Sequence, residues 1–122
     1  GHGRFILFYL LCGLAAALAQ ALSEPGSQIP MIGASGALSG VLGAYFLLHP
    51  TARVLVFIPI GLLTVRLPAA IMLGLWFLIQ TISAISAGSG EAGVAWLAHI
   101  GGFLAGLALV GAFKRAEVPL WQ

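Results

Sequence analysis

Two residues of this chain have side chains suited to nucleophilic catalysis, and both sit among apolar and small residues: Ser35 within Gly33-Ala34-Ser35-Gly36, and His99 within Ala98-His99-Ile100-Gly101-Gly102. A serine hydroxyl is a poor nucleophile until a positioned base takes its proton, and a neutral imidazole, with an ordinary pKa of about 6.5, can do so near pH 7. The chain has no Asp, and the acid nearest to His99 in sequence, Glu91, belongs to a polar connection eight residues earlier. The chemistry on offer is therefore that of a Ser-His dyad, without the buried carboxylate of a triad. Each residue also has a simpler reading, Ser35 as a helix cap and His99 as a hydrogen-bonded structural histidine. His99 is the stronger signal, because ionisable residues inside membrane segments are rare and functional by default.

The other histidines do not compete for this role. His2 lies at the terminus, and His49 precedes Pro50 at the end of an apolar stretch, where an imidazole serves as an interfacial end-cap. The 3 histidines fall at different depths and no pair has metal-ligand spacing, so no metal site is expected. Cys12 is the single cysteine and lies mid-segment, which excludes a disulfide within the chain and reads as a small packing residue.

The elements that must position Ser35 and His99 follow from composition. The 122 residues are 61% hydrophobic and 7% charged, whereas a soluble domain carries about 25% charged residues. Apolar stretches cover residues 5–22, 31–48, 67–87 and 92–113, each near the ~20 residues needed to cross a bilayer. Such stretches spread along the chain are not a cleaved signal peptide. The fold class expected is all-α, a polytopic transmembrane helical bundle forming one membrane domain over 1–122. Its helices are expected at about 4–22, 34–49, 68–87 and 93–113, with Pro68 as a first-turn proline. Between Arg53 and Arg66, residues 54–66 are apolar but too short to span and are broken by Pro59, which suits an interfacial or re-entrant segment with strand-like pairing. The chain opens on Gly1-His2-Gly3 without an initiator Met and is read as a fragment.

Charge sets the expected orientation. Arg4 precedes the first apolar stretch, Arg53 and Arg66 bracket the second connection, and Lys114-Arg115 follow the last stretch, while Glu24 and Glu91 occupy the other two connections. By the positive-inside rule the connections at 23–33 and 88–93 face outward. The 5 cations are spread over membrane-flanking sites and form no basic patch, so a nucleic-acid partner is excluded.

Depth then links the two residues. A helix from about residue 34 to 49 rises only ~24 Å against a hydrocarbon core of ~30 Å, so Ser35 at its start lies below the outer surface. His99, counted from a helix start at 93, lies ~10 Å below that surface. A helix start also gathers free backbone N–H groups and the positive end of the dipole, which can hold an oxyanion. Gly36, Gly40 and Gly43 share one side of the Ser35 helix, and Gly102 and Gly106 lie beside His99. Small residues of this kind let membrane helices approach closely. Ser27, Gln28, Ser39, Gln80 and Ser83 are candidates to line the water path that hydrolysis needs, or equally to be ordinary interfacial residues.

The pairing of Gly33-Ala34-Ser35-Gly36 with Ala98-His99-Ile100-Gly101-Gly102 resembles the rhomboid family of intramembrane serine proteases, and Gly1-His2-Gly3-Arg4-Phe5 resembles the start of that family's third transmembrane helix. The resemblance implies a partial rhomboid fold, with the third to sixth of six core helices. It implies Ser35 as nucleophile, His99 as base, and Gly33 and the Ser35 N–H in the oxyanion region. The helix carrying Trp76-Phe77 is similar to the one implicated in lateral access of substrate. The family's second helix, whose His and Asn side chains help hold the oxyanion, has no counterpart here, and the chain contains no Asn. These 122 residues alone are therefore not expected to be active. Some members carry a Tyr one turn after the serine that stacks on the histidine; Ser39 stands there, so other packing, such as the glycine stripe, must position His99.

The expected function is that of a serine endopeptidase cleaving transmembrane segments of membrane proteins, needing no cofactor, in a prokaryotic plasma membrane with the site opening outward. Two other classes remain open: an inactive rhomboid-like protein that binds transmembrane clients, and a small transporter with His99 as proton relay. An activated hydroxyl at Ser35 distinguishes the first reading from both.

Overall fold

A computed structural model describes residues 1–28, 30–86 and 95–121. The expected outer connection at 88–93, with Glu91, lies outside them. In chain order the elements are α1 (His2–Ser23), α2 (Ala34–Leu48), β1 (Arg53–Ile58), β2 (Leu63–Pro68), α3 (Ala69–Ser86) and α4 (Trp96–Phe113). Three helices, α1, α3 and α4, are long and apolar enough to cross a membrane, while α2 with 15 residues is shorter.

Local chemistry explains most boundaries. At the end of α1 the Glu24 N–H still bonds the Gln20 carbonyl, and the Ser23 hydroxyl turns back to the Ala19 carbonyl, before Pro25-Gly26 stops the helix. At the end of α2, His49 leaves helical geometry with φ −135° and ψ 55°, because the following Pro50 disfavours the α region for it. The helix therefore closes at Leu48, one residue before the expected end.

The segment after α2 forms an antiparallel hairpin in the register Arg53↔Pro68 to Ile58↔Leu63. Its turn is closed by the Leu62 N–H on the Pro59 carbonyl, and Gly61 supplies the positive φ, +83°, that the third turn position demands. Pro68 is the last residue of β2 and not the first of α3. The Ala69 N–H bonds the Ala52 carbonyl, carrying the pairing one step past the proline, and Pro68, having no N–H to donate, is suited to the end of an edge strand.

The core is built of small residues. Helix α2 is central, with Gly36, Ala37, Ser39, Gly40, Gly43 and Ala44 buried, and it packs most closely against α4 and then α1. Along the α2–α4 seam, a Cβ added at Gly102 would strike the Gly36 carbonyl, and one at Gly106 would strike the Gly40 carbonyl. The matching four-residue steps make α2 and α4 parallel and in register. A Cβ at Gly43 would meet the Phe103 carbonyl on the same seam. Helix α1 fits against the same seam, with Cys12 against Gly40, Gly13 against Ala37 and Ala16 against Gly36, so α1 runs antiparallel to α2. Helix α3 packs on α4 through aromatic rings, with Phe77 and Phe103 centroids 4.7 Å apart.

The outward faces are apolar. Leu10, Leu14, Leu18 and Leu22 on α1, and Ile71, Leu75, Leu78, Ile82 and Ile85 on α3, are exposed. Such contiguous apolar surface is what lipid covers, and it is the reverse of a water-soluble bundle.

Cys12 is 0% exposed. A membrane-permeant maleimide is therefore expected to leave it unmodified in the native protein and to label it fully after denaturation. Cys12→Leu, which forces extra methylenes against Gly40, is expected to lower stability by about 1–3 kcal/mol, read as a drop in the midpoint of thermal unfolding.

Candidate active site

The site is assembled at one end of the bundle. Ser35 is the second residue of α2, and His99 is the fourth residue of α4. Because α4 begins at Trp96, His99 lies about one turn inside its helix, shallower than the six or seven residues counted from a start at 93. The contact between the two residues therefore does not rest on that count. It rests on the seam, in which parallel helices held at glycine-to-carbonyl distance bring the two helix starts side by side. His99 Nε2 is 3.1 Å from Ser35 Oγ, within hydrogen-bonding range for a proton transfer.

Ser35 itself is exposed, and its sequence neighbours are small: Gly33 just before the helix, Ala34 and Gly36 within it. Gly33, the residue before α2, has no side chain with which to cap it. The first N–H groups of the helix, those of Ala34, Ser35 and Gly36, precede the first intrahelical bond, which the Ala37 N–H makes to the Gly33 carbonyl at 3.2 Å. These donors, which have no partner within the helix, collect with the positive end of the helix dipole at the helix start that carries Ser35.

The His99 ring is held from three directions. Its Nδ1 is 2.6 Å from the Gln80 Oε1 of α3. The Trp76 indole, also from α3, lies tilted against it with centroids 6.1 Å apart, and Trp96 meets it edge-on at 6.3 Å. Trp76 in turn rests on Phe103, which Phe77 covers as well. The glycine stripe thus aligns the helices, while a glutamine and an indole position the imidazole itself. The packing expected to position His99 in place of a stacked Tyr is thus supplied by α3 side chains, and the glycine stripe offered as an example of it acts on the helices.

The polar residues named as water-path candidates take different places. Gln80 is buried and engages His99. Ser39 is 2% exposed and donates to the Ser35 carbonyl at 2.8 Å, so it serves the helix backbone and lines no open path. Ser27 and Gln28 are exposed in the connection before α2, and Ser83 is half-buried on α3.

Gln20 was not singled out in the sequence, yet it ties α1 to α4. Its Oε1 accepts from the Ala98 N–H at 3.3 Å, and its Nε2 donates to Glu24 at 3.0 Å. Ala98 is the third residue of α4, whose N–H has no partner within the helix. A side chain from a neighbouring helix thus caps the turn that carries His99. A Gln near the end of an apolar helix is the only sequence signal for it, and that signal does not name its partner.

The opposite end of the bundle is basic. Arg4 Nη2 donates to the Ala112 carbonyl at 3.0 Å, at the C-terminus of α4, and Lys114 Nζ donates to the Val118 carbonyl at 2.7 Å. Cations are favourable at a helix C-terminus, where unpaired carbonyls and the negative end of the dipole collect.

Membrane-length helices with apolar outer faces, packed through glycine, define an integral membrane protein, and it carries a Ser-His contact at one end. The chain belongs to the rhomboid family: the Rhomboid domain matches residues 1–116. It is similar to Rhomboid protease GluP of Bacillus subtilis (strain 168), with 35% identity over 119 residues that cover 94% of this chain. The chain spans 21% of that relative's length. No solved structure gives a significant match.

Proposed function

We propose that the chain carries the catalytic centre of an intramembrane serine endopeptidase that cleaves transmembrane segments of other membrane proteins, with Ser35 as nucleophile and His99 as general base. The observation that supports this most directly is the 3.1 Å approach of His99 Nε2 to Ser35 Oγ at the open start of α2. In the proposed reaction Nε2 takes the hydroxyl proton as Oγ attacks the scissile carbonyl carbon. The carbonyl oxygen becomes an oxyanion, met by the free N–H groups at the start of α2, with Gly33 leaving room for a peptide backbone. The imidazolium returns its proton to the leaving amine, and water, activated by the same Nε2, then releases the acyl group from Ser35. The dyad operates without a cofactor.

The Arg4, Lys114 and Arg115 end of the bundle fits a cytoplasmic leaflet, so the site opens outward from a prokaryotic plasma membrane. The exposed apolar face of α3 beside Trp76 suits sideways arrival of a helical substrate from lipid. The four helices are taken as the third to sixth of the rhomboid core.

A serine-directed fluorophosphonate tests the reading at its centre. The full-length protein in detergent or lipid is expected to form a covalent adduct on Ser35, located by mass spectrometry, and His99→Ala is expected to suppress it. An unlabelled Ser35 in a folded protein, or labelling indifferent to His99→Ala, would count against an activated hydroxyl and favour an inactive, client-binding rhomboid-like protein.

A further inference from the structure

We propose that Gln80 is the positioning residue of this site, holding the His99 imidazole in the tautomer whose bare Nε2 faces Ser35; the inference rests on the dyad reading above. Gln80 lies on the same stripe of α3 as Ala69 and Leu73, the other buried residues of that helix, and it is the polar member of the stripe. It is 7% exposed. A primary amide in that setting costs free energy unless its hydrogen bonds are made. Its Oε1 spends one of them on His99 Nδ1, at 2.6 Å.

The donor and acceptor roles follow from the chemistry of the two groups. An amide oxygen only accepts, so the proton of a neutral imidazole must sit on Nδ1. Nε2 then carries the lone pair, and it is this nitrogen that lies 3.1 Å from Ser35 Oγ. The reverse orientation of the amide, with its NH₂ toward Nδ1, would leave the proton on Nε2 and make the histidine a donor to Ser35, unable to accept. Gln80 thus sets which way the proton can move.

The same bond also acts during the reaction. Once Nε2 has taken the serine proton the ring is an imidazolium, and the Nδ1–H to Oε1 bond becomes charge-assisted and stronger. Gln80 therefore favours the charged state more than the resting one. This is the part that a buried carboxylate plays in a triad, performed by a neutral amide in a chain that has no Asp. Among the described residues, the groups facing His99 are Gln80 and Trp76 from α3, Ser35 from α2 and Trp96 on its own helix, and none is charged. From α1, Gln20 reaches the Ala98 N–H, with the Glu24 carboxylate one side chain further away.

Two measurements on the full-length protein test this. In the first, histidine side chains are labelled with ¹⁵N and observed by NMR near pH 8, the His99 signals being identified by their loss in His99→Ala. The wild type is expected to show a protonated Nδ1 and a bare Nε2, and Gln80→Leu to lose that preference. In the second, cleavage of a transmembrane substrate is followed across pH. Gln80→Leu is expected to lower kcat by about 10²-fold, the scale set by a misplaced catalytic group, with KM unchanged. Gln80→Glu is expected to restore most of kcat, because a carboxylate accepts the same bond. Its negative charge favours the imidazolium, so the acid limb of the rate profile is expected to move to higher pH.

A wild-type His99 protonated on Nε2 overturns the assignment. So does a Gln80→Leu variant with wild-type kcat and pH profile while Ser35→Ala is inactive, a result that removes Gln80 from the mechanism and leaves the dyad standing. Cleavage that survives Ser35→Ala overturns the dyad and this assignment together.

Discussion

Ser35→Ala in the full-length protein is expected to abolish cleavage of a transmembrane substrate while leaving the protein folded and membrane-inserted. The size of the loss follows from the proposed chemistry. A nucleophile and its base act as one unit, and removing either typically costs on the order of 10⁶-fold in kcat, which in a membrane assay is no detectable product. The fold should tolerate the change, because the Ser35 side chain is exposed and its one described contact is to His99. Alanine is also a better helix former than serine at a helical position.

His99→Ala is expected to be equally inactive but less stable. It strips the ring from between Trp76 and Trp96 and leaves the Gln80 Oε1 buried without its partner, at a cost of about 1–3 kcal/mol. A thermal unfolding midpoint that falls for His99→Ala and holds for Ser35→Ala separates structural from chemical damage. Product formed by a folded Ser35→Ala protein would remove Ser35 from the mechanism.

The second large effect is expected far from any reacting atom, at Gly106. A Cβ there would overlap the O, C and Cα of Gly40. All three are backbone atoms, so no rotamer change relieves the clash and the two helices must part. Overpacking of this kind costs about 1–3 kcal/mol, and more where the backbone cannot yield. The consequence for activity should exceed that for stability. Parting α2 from α4 lengthens the 3.1 Å Ser35–His99 contact, and a displacement of ~1 Å at a reacting pair can cost ~10²-fold. Gly106→Ala is therefore expected to reduce kcat by about that factor and to lower the unfolding midpoint, with Gly102→Ala, aimed at the Gly36 carbonyl, doing the same.

Gly111→Ala on the same helix is the control, because a Cβ at Gly111 meets nothing within 4 Å. It is expected to leave both quantities unchanged or to raise stability slightly, as Ala is preferred over Gly in a helix. If Gly106→Ala behaved like Gly111→Ala, the seam would not be what holds the two helix starts together.

These expectations divide along a line that also separates sequence from structure. The long apolar stretches, the alternation of cations and anions between connections and the breaks at Pro25-Gly26 and Pro50 were enough to read a polytopic helical protein, because crossing a bilayer imposes a length, a composition and a charge pattern that leave few alternatives. The hairpin was legible as an interfacial or re-entrant segment, too short to span and suited to strand-like pairing. Its register depends on which residues face one another across the turn at Gly61, and no periodicity within 54–66 specifies that. Ser35 and His99 could be named as candidates because a hydroxyl at a helix start and a titratable ring in an apolar helix are unusual chemistry in lipid.

What brings those candidates together lies outside local sequence. The count of helical residues put His99 deeper than its place in α4, since Ala95, the residue before Trp96, has no capping side chain to mark the start in sequence. Its approach to Ser35 comes from the parallel seam of Gly36 and Gly40 on Gly102 and Gly106. Gln80 and Ser39 look alike in the sequence, as polar residues near the ends of apolar helices, yet one engages His99 and the other bonds its own helix. Composition and local pattern determined that this chain lives in a membrane and which side chains could react. Only the tertiary structure decided which of them meet, because hydrogen bonds and glycine contacts between helices depend on distances that no single segment contains.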